Sequence, residues 1–215
     1  MKDIPFFTTE YGVASLILRE IPYRQEAYIK VQDAQSGQTE QLLQECMAFC
    51  RAAGAERIYC STGASEAEPH TRVFEMRGTA QVNREQIENL FPVTEQTVGH
   101  WRQIHNQRMA QVDNAATLTA ADEKRILESG GAYFVHRDGR LLGIGWLEGE
   151  KLLAVAAVEP GAGFRVLNTL LSIVEGASIT LEVASTNEKA IHQYEKFGFI
   201  KTREICRWYQ GRAYL

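Results

Sequence analysis

The pattern of apolar and polar positions is cleanest in the second half of the chain. Ile179, Leu181 and Val183 alternate with Thr180 and Glu182, the two-residue period of a half-buried strand. Before it, Ala132-Tyr-Phe-Val135, Leu141 to Leu147 and Leu152 to Val158 read as three strands, joined by the turns Arg137-Asp-Gly-Arg140 and Glu148-Gly-Glu-Lys151. Further upstream, Glu95 to Gln111 carries a helical stripe of Val98, Trp101, Ile104 and Met109. Thr119-Ala-Ala-Asp122 has the form of a capping start for a short helix reaching about Leu127, and Gly130-Gly131 breaks it. Pro160-Gly-Ala-Gly163 ends the third strand, and a helix is predicted from about Phe164 to Glu175. After the 179–184 strand, Asn187 is a helix N-cap by type and Gly198 a stop, followed by a final strand over about Ile200 to Tyr209. The order is two helices, three antiparallel strands, helix, strand, helix, strand. It predicts an α/β fold with a mixed, mostly antiparallel sheet flanked by helices.

In the first half, Tyr11 to Ile21 and Gln25 to Val31 read as strands, Gln35-Ser-Gly37 as a turn, Thr39 to Ala53 as a helix stopped by Gly54, and Arg57 to Ser61 as a strand. His70-Thr-Arg-Val-Phe74-Glu-Met-Arg-Gly78 is then expected as a second helix with a short strand after it. That order repeats the order of the second half, and Phe74-Glu-x-x-Gly78 stands where the later copy has Tyr194-Glu-x-x-Gly198. On this reading residues 1–90 form a smaller α/β lobe of similar order, Glu85 to Pro92 is the connection, and residues 91–215 form a complete lobe. A different N-terminal domain built from common αβ units is the alternative.

Composition narrows the function classes without choosing one. A net charge of -4 lacks the basic footprint of a general nucleic-acid binder. No stretch approaches the apolar length of a membrane span, and the start, Met1 to Glu10, lacks the apolar core of a secretory signal. A cytoplasmic protein with neither nucleic-acid nor membrane partners is expected. Cys46, Cys50, Cys60 and Cys206 show neither a disulfide framework nor metal-ligand spacing, so buried free thiols and no metal are expected.

The chemistry-bearing stretch is Asn187-Glu-Lys-Ala190-Ile-His-Gln-Tyr194-Glu-Lys-Phe197-Gly198-Phe199. Asn187, Ala190 and Tyr194 fall on one helix face, presenting an amide, a small gap and a phenol. A packing helix that merely presents Ala and Tyr inward does not require Asn, Ala, Tyr and Gly-Phe together. The spacing N-x-x-A-x-x-x-Y-x-x-x-G-F resembles the cofactor-side helix of the GNAT (GCN5-related N-acetyltransferase) superfamily, and the element order resembles that layout over about residues 94–210. The resemblance implies that this helix lies along the CoA arm of acetyl-CoA, bound as co-substrate. It also implies that Tyr194 is the general acid for the leaving thiolate.

In that superfamily the strand before the phosphate site ends V-x-P-x-x-[QR]-G-x-G-x-[GA]. Here Val158-Glu-Pro160 matches, and Gly161-Ala-Gly163-Phe-Arg165-Val departs from the pattern, one residue shorter. The resemblance implies a phosphate cupped by amides of Gly161, Ala162, Gly163, Phe164, Arg165 and Val166, with Arg165 as a cation. Alternatively, side chains crowd the loop and weaken CoA binding. The thioester carbonyl is expected near the backbone of Ala157 and Val158. For the base that deprotonates the acceptor amine, Glu148 is the first candidate because strand alternation from Gly145 aims it inward. Glu150, Glu159, His105 and His136 are further candidates, against the reading that each is a solvated or packed residue. The expected function is acetyl transfer from acetyl-CoA to a small-molecule or peptide amine, by a monomer with a pseudo-dimeric core or by a homodimer. A non-catalytic acyl-CoA sensor is the rival.

Overall fold

The computed structural model describes residues 2–63, 67–174 and 176–211. Residues 1, 64–66 and 212–215 of the two expected lobes, and Glu175 at an expected helix end, lie outside the described residues. Contacts divide the chain into two compact units, Met1–Arg72 with Ile205–Leu215, and Val73–Glu204.

The first unit contains β1 (Ile4–Thr9), β2 (Gly12–Ile17), the short α1 (Ile21–Arg24), β3 (Glu26–Ala34), α2 (Thr39–Ala52) and β4 (Arg57–Cys60). β1, β2 and β3 form an antiparallel meander, and β4 joins parallel to β3 after the crossover through α2. Helix α2 buries Leu42, Leu43, Cys46, Met47 and Cys50, a three-and-four spacing on one face, against Ala14, Leu16, Ile29, Ile58 and Cys60. Burial pushes the thiols up, Cys46 to about 11 and Cys50 and Cys60 to about 12, so they pack as apolar groups.

The second unit takes most of β5 (Thr71–Thr79), then β6 (Asn89–Pro92), α3 (Val98–Met109), α4 (Glu123–Ser129), β7 (Ala132–Arg137), β8 (Arg140–Glu148), β9 (Lys151–Ala157), α5 (Gly163–Leu171), β10 (Ser178–Ala184) and α6 (Glu188–Lys196). The last strand, β11 (Ile200–Gln210), starts here, and its end pairs with β4 in the first unit. The sheet order is β5-β10-β9-β8-β7-β6, with β9 and β10 parallel and the other pairs antiparallel. The Thr119–Asp122 capping box forms as predicted. Helix α5 lies close on β8 because two glycines make room. A Cβ on Gly143 would come 2.7 Å from a Val166 methyl, and one on Gly145 would come 2.0 Å from a Leu170 methyl. The opposite face carries α3, with Trp101, Ile104, Ile144, Trp146 and Ala156 in a separate core.

One expected helix is a strand. His70–Gly78 is mostly β5, paired antiparallel with β10 from Ser178↔Thr79 to Ala184↔Val73. Phe74, Met76 and Gly78 alternate with Glu75 and Arg77, and the apolar side faces the core, where Met76 is fully buried and Gly78 lies against the Phe199 ring. Phe74 therefore sits opposite Val183 in a ladder and is no counterpart of Tyr194. The meander β1-β2-β3, helix α2 and parallel β4 have the same order as β7-β8-β9, α5 and parallel β10, without a helix matching α6.

Candidate functional site

Strands β9 and β10 pair only where they begin, at Thr180↔Lys151 and Leu181↔Leu152. From there β9 continues to Ala157 and β10 to Ala184 with no ladder between them, so the two strands open as a V. On the β9 side, Val158 N–H donates to the Leu142 carbonyl at 2.7 Å. That makes Val158 and Leu142 a hydrogen-bonded pair, and Gly143 and Ala157 the neighbouring pair without exchanged bonds. Ala157 thus turns its N–H and C=O away from β8 and into the V. Val158 has its N–H spent, and its carbonyl accepts from Arg108 Nη2 of α3 at 2.6 Å.

The loop leaving β9 turns at Gly161, whose φ of 82° is cheap for glycine. Not every amide from Gly161 to Val166 is available. Ala162 N–H bonds the Glu159 carbonyl and Val166 N–H the Ala162 carbonyl, while the Val166 side chain is fully buried. The amides of Gly163, Phe164 and Arg165 are the first-turn donors of α5, which have no intrahelical partner. Beside Gly161 and Gly163, the positions a Cβ would fill are open space. Phe164 stacks on Phe197 with ring centroids 4.7 Å apart, tying the start of α5 to the end of α6.

Arg165 is not the free cation the sequence suggests. Its Nη1 lies 2.8 Å from Glu88 Oε1, and Glu88 has its N–H held by Thr169 Oγ1 at 3.0 Å. Asn168, one turn along and fully buried, holds Asn83 N–H, Asn83 C=O and Gln86 C=O. This face of α5 fastens residues 83–88 to the unit. A cleft of about 650 Å³ beside the loop is lined by Arg137, Arg140, Glu159, Gly161, Ala162 and Arg165, among others.

On α6, Asn187 caps the helix, its Oδ1 accepting from Ala190 N–H at 3.3 Å. Tyr194 belongs to the core that holds Val183 and that Ala157 packs against, and lies 6.1 Å from the Phe199 ring. No described residue hydrogen-bonds its hydroxyl. Burial alone pushes the phenol up to about 12, so it keeps its proton at neutral pH. Gln193, a residue that sequence reasoning passes over, has a buried Oε1 with no partner among the described residues, on the flank of Ala190.

Glu148 is misplaced for a base. It sits at the β8–β9 turn opposite Lys151, at the closed end of the V, and its partner is Arg125 at 2.8 Å. Along β8 the five residues back to Gly143, opposite Ala157, span roughly 17 Å. The register also shifts between Trp146 and Leu147, so alternation counted from Gly145 does not carry through to Glu148, which is exposed. Glu150 shares that end, where its carbonyl accepts from Thr180 N–H. Glu159 is exposed beside the arginine cleft, and His136 lies against Phe91 and Phe134. His105 is buried one turn before Arg108, stacked on Trp101, and burial lowers its pKa.

In the first unit the parallel pair β3–β4 is shut. β3 and β4 stay paired from Glu26↔Arg57 to Ile29↔Cys60. Ser61 N–H then bonds the Ile29 carbonyl, and Ser61 Oγ accepts from Val31 N–H.

No protein-family model and no curated protein matches the sequence. Among solved structures, a GCN5-related N-acetyltransferase from Anabaena variabilis superposes with a TM-score of 0.58 at 10% identity, over 92% of this chain and 58% of that one. Another from Sphaerobacter thermophilus gives 0.51 at 10% identity over 93% and 76%. A conserved protein of unknown function from Staphylococcus epidermidis gives 0.55 at 10% identity over 94% and 90%. The chain has the GNAT fold. At this identity the likeness carries the fold and leaves the chemistry to the residues. Among the described residues, no helix is long and apolar enough to cross a membrane.

Proposed function

We propose that the chain is an N-acetyltransferase moving an acetyl group from acetyl-CoA directly to the amine of a small molecule or peptide. The observation that carries this reading is the β9–β10 V with Tyr194 buried on one side and the Ala157 amide facing the other. A packed sheet has no use for two parallel strands that stop pairing after two residues. The pantetheine arm of the co-substrate fits the V as a third strand, Ala157 N–H donating to the thioester carbonyl. Its diphosphate meets the amides of Gly161, Gly163, Phe164 and Arg165, with Asn187 and Ala190 along the arm. The acceptor amine attacks the thioester carbonyl directly and the C–S bond breaks; the departing thiolate takes the Tyr194 proton, and the proton shed by the amine passes through water to restore the phenol, so no covalent enzyme intermediate is needed. The first unit is a shortened copy whose closed β3–β4 pair leaves no room for a second acyl-CoA.

The test is release of CoA thiol across a panel of amines, with Tyr194→Phe as the control. Turnover with at least one amine, falling 10²- to 10⁴-fold in the variant, is expected for loss of a general acid. The engagement of Arg165 by Glu88 favours a second reading, an acyl-CoA sensor. Binding of acetyl-CoA with no turnover across the panel would replace the first reading by that one.

A further inference from the structure

Arg137 and Arg140 face each other as a register pair across the β7–β8 turn. The turn residues Asp138 and Gly139 have φ of 49° and 76°, the signature of a tight type I′ hairpin that leaves the flanking pair no slack. Like charges directly opposite one another in a ladder are destabilising unless a negative group lies between them. The chain meets that need only in part. Arg137 reaches Asp138 at 3.5 Å and Glu88 at 4.0 Å. Arg140 makes no ion pair among the described residues. The third arginine on the same cleft, Arg165, is committed to Glu88, whose side chain is only 11% exposed. Asp138 and Glu159 also line the cleft, so its charge is mixed and one added phosphate leaves it far from strongly negative.

We infer that Arg140, together with Arg137, holds a phosphate group in this cleft, the part the sequence gives to Arg165, and that Arg165 instead fastens residues 83–88. The inference rests on the acyl-CoA reading for the identity of the ligand, but not for the existence of the anion site. The hairpin places two guanidiniums beside the Gly161 turn, and a planar donor fork suits phosphate oxygens.

The experiment is calorimetric titration of the full chain with acetyl-CoA and, separately, with adenosine 3′,5′-bisphosphate, at two salt concentrations. The variants are Arg140→Met, Arg140→Lys and Arg165→Met. Arg140→Met is expected to weaken both ligands about 10- to 100-fold, the worth of a charge-assisted hydrogen bond, and to flatten the salt dependence, while Arg140→Lys retains part of the affinity. Arg165→Met is expected to weaken the bisphosphate less than Arg140→Met does, and to lower the melting temperature. Wild-type affinity in a folded Arg140→Met, or a greater loss in Arg165→Met, overturns the inference. A wild-type protein that binds the bisphosphate through Arg140 but not acetyl-CoA sinks the acyltransferase reading and leaves the site. Acetyl-CoA bound equally by wild type and Arg140→Met does the reverse, and a wild type that binds neither probe removes both.

Discussion

Tyr194→Phe separates what the phenol does for function from what it costs the fold. The ring is about nine-tenths buried, and no described residue takes or gives a hydrogen bond at its hydroxyl. The hydroxyl is not among the fully buried polar atoms that lack a partner, so water reaches it, and its removal is expected to change stability by less than about 1 kcal/mol at pH 7. The pH dependence follows from the raised pKa, up to about 12 from an ordinary 10, caused by burial. Below pH 10 both folded and unfolded states keep the proton, and the wild type has its full stability. Between pH 10 and 12 the unfolded chain ionises and the folded one does not, so wild-type stability falls as pH rises, by about 3 kcal/mol in total. The variant lacks this loss. The variant's stability relative to wild type should rise by about 1 kcal/mol between pH 7 and pH 10.5, read by urea unfolding followed by fluorescence. A difference between the two proteins that stays flat with pH would refute the reasoning.

Two other substitutions probe the frame of the site. Gly143→Ala drives a methyl group to 2.4 Å from the Ala156 carbonyl oxygen and 2.7 Å from Val166, and a ladder oxygen cannot rotate away. A loss of about 2–3 kcal/mol is expected in thermal melting, and an unchanged melting temperature would mean that α5 does not pack this closely on β8. Glu148→Gln should leave acetyl transfer within about twofold of wild type, since exposed ion pairs of the Arg125–Glu148 kind contribute little. A hundredfold loss would return Glu148 to the mechanism.

Much of the second unit was legible because its local signals agree with its tertiary contacts. The Asp138-Gly139 and Gly149 turns, the 179–184 alternation and the Asn187 cap each specify an element that packing then keeps. β5 is hard to read because the local match between Phe74-Glu-x-x-Gly78 and Tyr194-Glu-x-x-Gly198 suggests a helix, while the alternation of Phe74, Met76 and Gly78 is the strand signal that the ladder with β10 obeys. Arg165 was misread because its partner, Glu88, is far away in sequence, and a loop arginine next to glycines looks free until the fold brings residues 83–88 onto α5. Glu148 failed for a related reason: alternation tells which face a side chain takes but not which end of an open strand pair does the chemistry. The Arg137–Arg140 pair was visible as two arginines flanking an Asp-Gly turn. Its meaning needed the cleft.

The stoichiometry of acetyl-CoA binding tests the central claim most directly, because it asks at once whether the open β9–β10 pair is a site and whether the closed β3–β4 pair is not. Calorimetric titration of the full chain is predicted to give one molecule bound per chain, with affinity lowered by Asn187→Ala. No binding at high protein concentration would contradict the reading of the V as an acyl-CoA site, and two molecules per chain would contradict the reading of the first unit as closed.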